Sequence, residues 1–352
     1  MPLSRIVFLT GTLVLAGCTM SPDYERPEVV TPPDWSVAAG EDGGAVNASD
    51  PAWWSHFGSA ELDRLIARAF DANTDLAASI HRVAQARASV RVAGAALLPA
   101  VDAGGSLSRD WNEPFSNASD GVSGWSSQVG VSYELDFWGR NRAAIDAASA
   151  QLDATVYDHE TLRLVVAADV GLTYAEALTI NDQLRLTREQ RDNARGILEL
   201  VEARFEAGAV SGLELAQQRT ELANFDARIA ALVRQREAAA NRLAVLIGEA
   251  PQSFARPTGT LASLAVPDMA ADPPAVLLTR RPDLRRAEAE LVAAHADIGA
   301  ARAAFFPSFR LGADLAAGAR PISAATDTVA GIAASVVAPI FSGGRLEGNV
   351  ER

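Results

Sequence analysis

The feature that most constrains the fold of this 352-residue chain is a repeated junction between a helix-like segment and a strand-like one. The stretches "GAALLPAV" and "AAFFPSFRL" carry the junction at Pro99 and Pro307, 208 residues apart. A gapless comparison of 75–105 with 283–313 gives nine identities, and the shared Asp-Leu start and shared proline do not depend on alanine. An internal duplication is therefore predicted, with two copies of one helix-to-strand unit.

Large apolar residues recur every seven positions in the helix-like half of each copy. They are Leu76, Val83, Val90 and Leu97 in the first copy, and Leu284, Leu291, Ile298 and Phe305 in the second. Small residues follow three positions after the first three of each set, at Ser79, Ala86 and Ala93, and at Ala287, Ala294 and Ala301. A heptad with large a and small d residues predicts close helix packing along a coiled-coil-like seam in both copies.

Period-two patterns follow each proline and predict one β-hairpin per copy. The strands are expected at about 100–111, 126–138, 308–319 and 329–341. In 126–138 the apolar residues, expected to face lipid, are Val129, Val131, Tyr133, Leu135 and Phe137. The alternating polar residues, expected to face a barrel lumen, are Gln128, Ser132, Glu134 and Asp136. One apolar and one polar face fit the wall of a membrane β-barrel, in which every backbone group must be paired.

Four strands cannot close a barrel, because about eight is the smallest workable number. Two chains would give eight strands and an interior nearly filled by side chains, whereas three chains give twelve. The expected fold is therefore an α+β membrane fold of duplicated long helical hairpins and two β-hairpins. Three copies would form a twelve-stranded β-barrel that continues into a periplasmic α-barrel.

The longest helix-like run, 141–206, contains no proline and is followed by the breaker "EAGAVSG". Gly208 is expected just after the helix end, and Ser211 as the N-cap of a return helix over 213–247. An irregular segment, 248–275, precedes a single further helix predicted over 276–304. The first repeat thus covers 53–247, and the second begins at 276.

The N-terminus is typical of a secretory signal. Arg5 precedes the apolar run "IVFLTGTLVLA", which is too short to span a bilayer, and "LAGC" ends at the only cysteine, Cys18. This stretch resembles a bacterial lipobox, which implies cleavage before Cys18 and N-acyl and S-diacylglycerol lipid on that residue. Residues 1–17 are then a signal peptide and 18–52 a lipid-anchored strap at the outer membrane. The alternative is a buried cysteine in a signal peptide cleaved elsewhere.

Composition argues against several other classes of protein. The net charge of −13 is unsuited to a nucleic-acid partner, which requires a basic surface. A single cysteine excludes an intrachain disulfide and a Cys-based zinc cluster. The histidines show no ligand-like spacing; they are His56, His81, His159 and His295. We therefore expect no enzyme, no metal and no cofactor beyond the lipid, and no later segment is apolar enough to predict a membrane-spanning helix.

The chain resembles the TolC-like outer-membrane efflux factors, in the NodT- and OprM-type lipoprotein branch. The resemblance is carried by the lipobox, the paired prolines, "YELDFWGRNRAA", "RFEAGAVSGLELAQQRTEL", "RRPDLRRAEAELVAAHADIGAARAAFFPS" and "PIFSGGR". It implies a homotrimer that exports small molecules or metal ions with an inner-membrane RND-type pump and a periplasmic adaptor. It also implies adaptor contact at a helical tip formed by Arg204, Phe205, Gly208, Val210, Ser211 and Leu213.

One departure from this family is expected. The first repeat has about 109 residues of helical hairpin after "FWGR", whereas only seven residues follow Arg345 in the second repeat, 276–352. The second hairpin is therefore expected to be missing, as in a C-terminally truncated chain, with poor assembly. Two other functions stay open: a periplasmic coiled-coil lipoprotein with a structural or adaptor role and no pore, and a conduit for type I protein secretion.

Overall fold

The computed structural model describes residues 20, 22–32, 35, 46–47, 50–110, 122–270 and 272–352. The predicted signal peptide and Cys18 lie outside the described residues. The chain divides into two compact units. The first unit contains residues 1–28, 83–155 and 286–352, and the second contains 29–82 and 156–285.

The described residues form seven α-helices and six strands. The helices are α1 (Ala60–Ala72), α2 (Thr74–Ala95), α3 (Arg140–Glu206), α4 (Gly212–Leu246), α5 (Pro274–Arg280), α6 (Pro282–Ala303) and α7 (Arg345–Glu351). The strands are β1 (Val46–Asn47), β2 (Ala100–Asp110), β3 (Val122–Leu135), β4 (Met269–Ala270), β5 (Ser308–Ala319) and β6 (Asp327–Val337). Short 3₁₀ turns occur at Trp53–Phe57 and Leu261–Ser263.

Two predicted strands were placed too far along the chain. Strand β3 starts at Val122 rather than 126 and ends at Leu135 rather than 138, and β6 ends at Val337 rather than 341. After Leu135 the chain turns directly into α3, because the Asp136 side chain caps that helix. A capping carboxylate requires a turn, which the alternating sequence pattern does not reveal.

The predicted single helix over 276–304 is two helices, α5 and α6. They are separated by Arg281, whose backbone is extended at φ −67° and ψ 121°. Pro282 is the cause, because its ring disfavours the helical conformation of the preceding residue. Proline then occupies the first turn of α6, where its missing N–H leaves no hydrogen bond unmade.

In the first unit, the four long strands form one antiparallel sheet in the order β2-β3-β5-β6. Each predicted hairpin is present, and the two hairpins are joined through the pairing of β3 with β5. Val129, for example, lies opposite Ala103 on one side and Leu315 on the other. Strands β2 and β6 are the two edges, and neither has a further partner strand among the described residues.

In the second unit, α1, α3 and α4 enclose a hydrophobic core, to which Leu76 of α2 also contributes. Its fully buried members include Ile66, Val170, Leu178 and Leu243. The Ser59 side chain accepts a hydrogen bond from the Leu62 N–H and so caps α1. These contacts hold the middle of α3 and the end of α4 against α1.

The heptad prediction was right for the first copy and wrong for the second. In α2, the positions Leu76, Ser79 and Val83 are buried, and the later heptad positions are partly buried. In α6 the buried face is instead formed by small residues: Ala289, Ala293, Ala296, Gly299 and Ala303. Side chains this small let a helix approach its neighbours closely. The larger Leu291 of α6 is exposed, as is Phe305, two residues after the helix ends.

Candidate functional site

The four-stranded sheet of the first unit has two chemically different faces. Residues directly opposite each other in an antiparallel pair project to the same face. The register therefore places predicted lipid-facing residues of β3 in rows with apolar residues of the other strands. Two of these rows are Ala103–Val129–Leu315–Ala330 and Val101–Val131–Ala313–Ile332, and Tyr133 and Leu135 continue the face opposite Leu311 and Phe309.

This apolar face is open to its surroundings. Val129 is 47% exposed and Ile332 is 93% exposed, and the large apolar residues Leu107, Leu311 and Leu315 are exposed beside them. A continuous apolar patch across four strands is unfavourable in water and indicates contact with a membrane or another protein. Alternation with a polar opposite face is typical of transmembrane β-barrel strands.

The opposite face of the sheet carries the predicted polar residues Gln128 and Ser132, which are exposed. Glu134 lies on the same face, opposite Arg310, and its Oε2 accepts a hydrogen bond from the Arg310 side chain at 3.2 Å. Its other oxygen accepts one from Arg140. The charge of Glu134 is therefore compensated by two guanidinium groups.

Three acidic residues whose side chains are described on this polar face were not among the predicted site residues: Asp102, Asp314 and Asp327. One cross-strand row contains, in order, Asp102, Gly130, Asp314 and Gly331. Gly130 therefore lies between the two aspartates, and Gly331 lies on the other side of Asp314. The Asp314 carboxylate extends over Gly331, where an added Cβ would lie only 2.8 Å from its Oδ1. Within the described part of the chain, neither carboxylate makes an ion pair, so this row carries uncompensated negative charge. The sequence contained a signal for this position: Asp102 and Asp314 each lie between two apolar residues, as expected for the polar face of a strand. The apolar neighbours are Val101 and Ala103, and Ala313 and Leu315.

The predicted places of Asp136 and Phe137 on strand faces are wrong, because both residues follow the end of β3. The two carboxylate oxygens of Asp136 accept hydrogen bonds from the backbone N–H groups of Asn141 and Arg142, each at 3.0 Å. Asp136 therefore stabilises the start of α3. Phe137 makes an edge-to-face contact with Phe309, with ring centroids 5.1 Å apart.

Pro99 and Pro307 lie between helix and strand in their respective copies, each directly before the first residue of a strand. The second junction is held by Trp138, whose Nε1–H donates to the Pro307 carbonyl at 2.7 Å. The Trp138 ring also stacks on Phe306, with centroids 4.8 Å apart. Trp138 thus joins the end of the first hairpin to the start of the second, a role that no local sequence pattern indicates.

Replacing Trp138 should separate these two contributions. Trp138→Phe keeps a stacking ring but leaves the Pro307 carbonyl without its donor, for an expected loss of about 1 kcal/mol. Trp138→Ala removes the ring as well, for an expected loss of about 3 kcal/mol. Thermal unfolding in detergent, followed by circular dichroism, measures both. Equal melting temperatures for the two variants would contradict the stacking contribution.

In the second unit, the predicted tip residues come together in one helix–turn–helix. Gly208 has φ +72°, a left-handed conformation that favours glycine, just after the end of α3. The Ser211 Oγ accepts a hydrogen bond from the Glu214 N–H at 3.3 Å and caps α4. Phe205 and Leu213 are exposed on either side of this turn. Together with Arg204 and Val210, they form a compact turn with apolar side chains open to a partner.

The described part of the N-terminal strap lies against the first unit. The Met20 N–H donates to the Trp138 carbonyl at 3.4 Å, and the His295 ring nitrogen Nε2 lies 2.9 Å from the Pro22 carbonyl. Further along, the Arg26 guanidinium forms an ion pair with Glu288 of α6. Met20 is two residues after Cys18, the predicted lipid-attachment residue, which lies outside the described residues.

Two broader features bear on the kind of site present. Among the described residues, no group of three His, Cys, Asp or Glu side chains is arranged to hold a metal ion.

One helix, α3, contains a stretch long and apolar enough to cross a membrane, contrary to the prediction. Nearly half of that stretch is buried within the protein, and Val166, Ala167 and Val170 of α3 belong to the core of the second unit. Burial in a protein core accounts for this apolar composition.

The sheet, the helix–strand junctions and the long helical hairpin together define a class of protein, the outer-membrane channels built from strands and long helices. The sequence profile described as "Outer membrane efflux protein" matches residues 65–249 and 274–352. The chain belongs to this family.

Named relatives agree with this assignment. The chain is 37% identical over 362 residues to the pyoverdine export outer membrane protein OpmQ of Pseudomonas aeruginosa, covering all of this chain and 76% of OpmQ. It is 28% identical over 355 residues to the probable outer membrane lipoprotein SilC of Salmonella typhimurium, covering 99% of this chain and 76% of SilC. Neither relative is named as an enzyme.

A solved structure of CusC, determined in work on its folding and transmembrane channel formation, shares the fold. Its TM-score is 0.78 at 27% identity, and the match covers 95% of this chain and 76% of the CusC chain. The structural neighbours are efflux channels of the TolC type, and the protein described above has the same helix-rich α+β architecture. The expected resemblance is therefore confirmed.

Proposed function

We propose that this protein is the outer-membrane conduit of a tripartite, RND-type efflux system, through which a pump and an adaptor pass small molecules or metal ions out of the cell. The observation that carries the proposal is the four-stranded sheet with one exposed apolar face, one polar face and two edges without a partner strand among the described residues. Unpaired edges do not persist in lipid, so neighbouring chains must pair with them. Three chains give a closed barrel of twelve strands.

In this barrel, the face containing Val129, Val131, Tyr133 and Leu135 contacts lipid, and the face containing Gln128, Ser132 and Glu134 lines the lumen. Two arginines bind Glu134 and leave one positive charge there, but Asp102, Asp314 and Asp327 together give the lumen face of each subunit an excess of negative charge. A lumen lined by uncompensated carboxylates prefers cations. Pro99 and Pro307 mark the places at which the barrel continues as a helical wall.

The partners and the lipid anchor belong to the same proposal. The helical turn at 204–213 contacts the periplasmic adaptor through its exposed apolar residues. Acylated Cys18 anchors the strap in the outer-membrane lipid, consistent with the hydrogen bond of nearby Met20 to the helix–strand junction. OpmQ is named for pyoverdine export and SilC as a lipoprotein, which supports export of a small cargo by a lipid-anchored channel.

The two alternatives fit the structure less well. A coiled-coil lipoprotein without a pore has no use for a sheet whose apolar face is exposed along all four strands. A conduit for type I protein secretion would share the barrel, but the named relatives above favour small-molecule export.

Reconstitution into planar lipid bilayers tests the function directly. Against the poor assembly expected from the sequence, the proposal requires the purified protein to migrate as an SDS-resistant oligomer that dissociates on heating and to conduct ions across the bilayer. With a salt gradient, the sign of the reversal potential should show a preference for cations. A monomer recovered from the soluble periplasmic fraction, with no conductance, would contradict the proposal.

A further inference from the structure

A pocket rich in arginine lies within the second unit, apart from the sheet, the tip and the strap. It has a volume of about 550 Å³ and is bordered by α3, α4 and the segment at 256–259. Four arginines line it: Arg185, Arg188, Arg236 and Arg256. Such a concentration of positive charge is unexpected in a chain with a net charge of −13.

Carboxylates compensate only part of this charge. Arg185 pairs with Asp182 and Glu189, at 3.4 and 3.3 Å. Glu237 pairs with Arg256 at 2.7 Å and with Arg236 at 3.3 Å. None of these three carboxylates lines the pocket. The four guanidinium groups exceed the three carboxylates by one positive charge. The arginines, and not these carboxylates, line the open volume.

Glu237 shows how strongly these arginines attract negative charge. Desolvation raises the pKa of its carboxyl, but the hydrogen bonds and charges of Arg256 and Arg236 outweigh desolvation and lower the pKa overall. Glu237 therefore stays ionised and holds two of the arginines in place.

Two of the arginines that line the pocket have unused hydrogen-bonding groups. The Nε–H of Arg236 is shielded from solvent and has no hydrogen-bond acceptor among the described residues. An unmatched, shielded donor is unfavourable unless a further acceptor is present. Within the described part of the chain, Arg188 forms no ion pair, although it lines the same pocket.

We infer that this pocket binds a phosphate-type oxyanion between Arg188 and Arg236. Guanidinium groups bind phosphate and carboxylate oxygens through pairs of parallel hydrogen bonds, and one bound oxyanion would accept hydrogen bonds from Arg188, which has no ion pair, and from the Arg236 guanidinium that lines the same pocket. The phosphate is either a free anion or the headgroup of a lipid, since both present the same oxygens. This binding is separate from conduction and does not depend on the proposed channel function.

Isothermal titration calorimetry of the full-length protein with inorganic pyrophosphate tests the free-anion source. Flotation with phosphatidylcholine vesicles containing phosphatidic acid tests the lipid source. Arg188→Gln is the informative variant, because Arg188 has no ion pair to lose and its removal should not disturb folding. The matched control is Arg195→Gln, which removes the same charge from an exposed position of α3 outside the pocket.

We expect the original protein to bind one of the two probes, Arg188→Gln to bind it about tenfold more weakly, and Arg195→Gln to bind it unchanged. The probe that binds identifies the source. No binding of either probe would overturn the inference. Equal losses in the two variants would also overturn it, because they would indicate general surface charge rather than a pocket.

Discussion

Val129→Arg should prevent the protein from assembling in the outer membrane. Val129 lies in the middle of β3, on the apolar face, with Ala103 and Leu315 beside it. An arginine facing lipid near the bilayer midplane destabilises a transmembrane β-barrel by about 2–4 kcal/mol. The proposed trimer would contain the substitution three times, so the expected loss is about threefold larger for the assembly. The measurement is the amount of heat-dissociable oligomer in washed outer-membrane fractions.

Gln128→Arg is the matched control. Gln128 is the neighbouring residue of the same strand and lies on the polar face, in a row with Gly104 and Ala316. Small neighbours leave room for a longer side chain, and a lumen charge remains in water. We expect normal assembly with a weaker cation preference. If the two arginine variants assembled equally well, the assignment of the apolar face to lipid would be wrong.

Leu213→Asp should abolish efflux while leaving the protein assembled. Leu213 is 68% exposed in the first turn of α4, so its removal uncovers no core. An acidic residue near a helix N-terminus interacts favourably with the helix dipole, and α4 should therefore remain folded. An apolar contact residue at the centre of an interface contributes about 2 kcal/mol, so adaptor binding should weaken roughly thirtyfold.

Efflux is measured as survival of cells exposed to an exported compound, and adaptor binding by co-purification. Val266→Asp provides the control, since Val266 is 92% exposed in the irregular segment between α4 and α5. This control should leave both measurements unchanged. Normal efflux and adaptor binding in Leu213→Asp would exclude the tip from the adaptor interface.

The sequence by itself determined the duplicated order of helices and strands, because the residues that begin and end these elements act on their immediate neighbours. The prolines at 99 and 307, the glycine at 208 and the serine at 211 impose backbone geometry on their immediate neighbours, so helix–strand junctions and the helical turn could be placed from residue type alone. Alternation in β3 likewise reports which side chains share a face, because the strand period of two follows from backbone geometry.

Only the tertiary structure decided which of these side chains interact across elements. Asp136 continues the alternating pattern but caps α3, and Glu134 is neutralised by Arg310 from another strand. The heptad of α6 predicted a large-residue seam, yet its alanine face is the buried one. The arginine pocket draws on α3, α4 and the 256–259 segment. Register, burial and ion pairing depend on residues distant in the chain, and a periodic pattern contains no information about the partner that it meets.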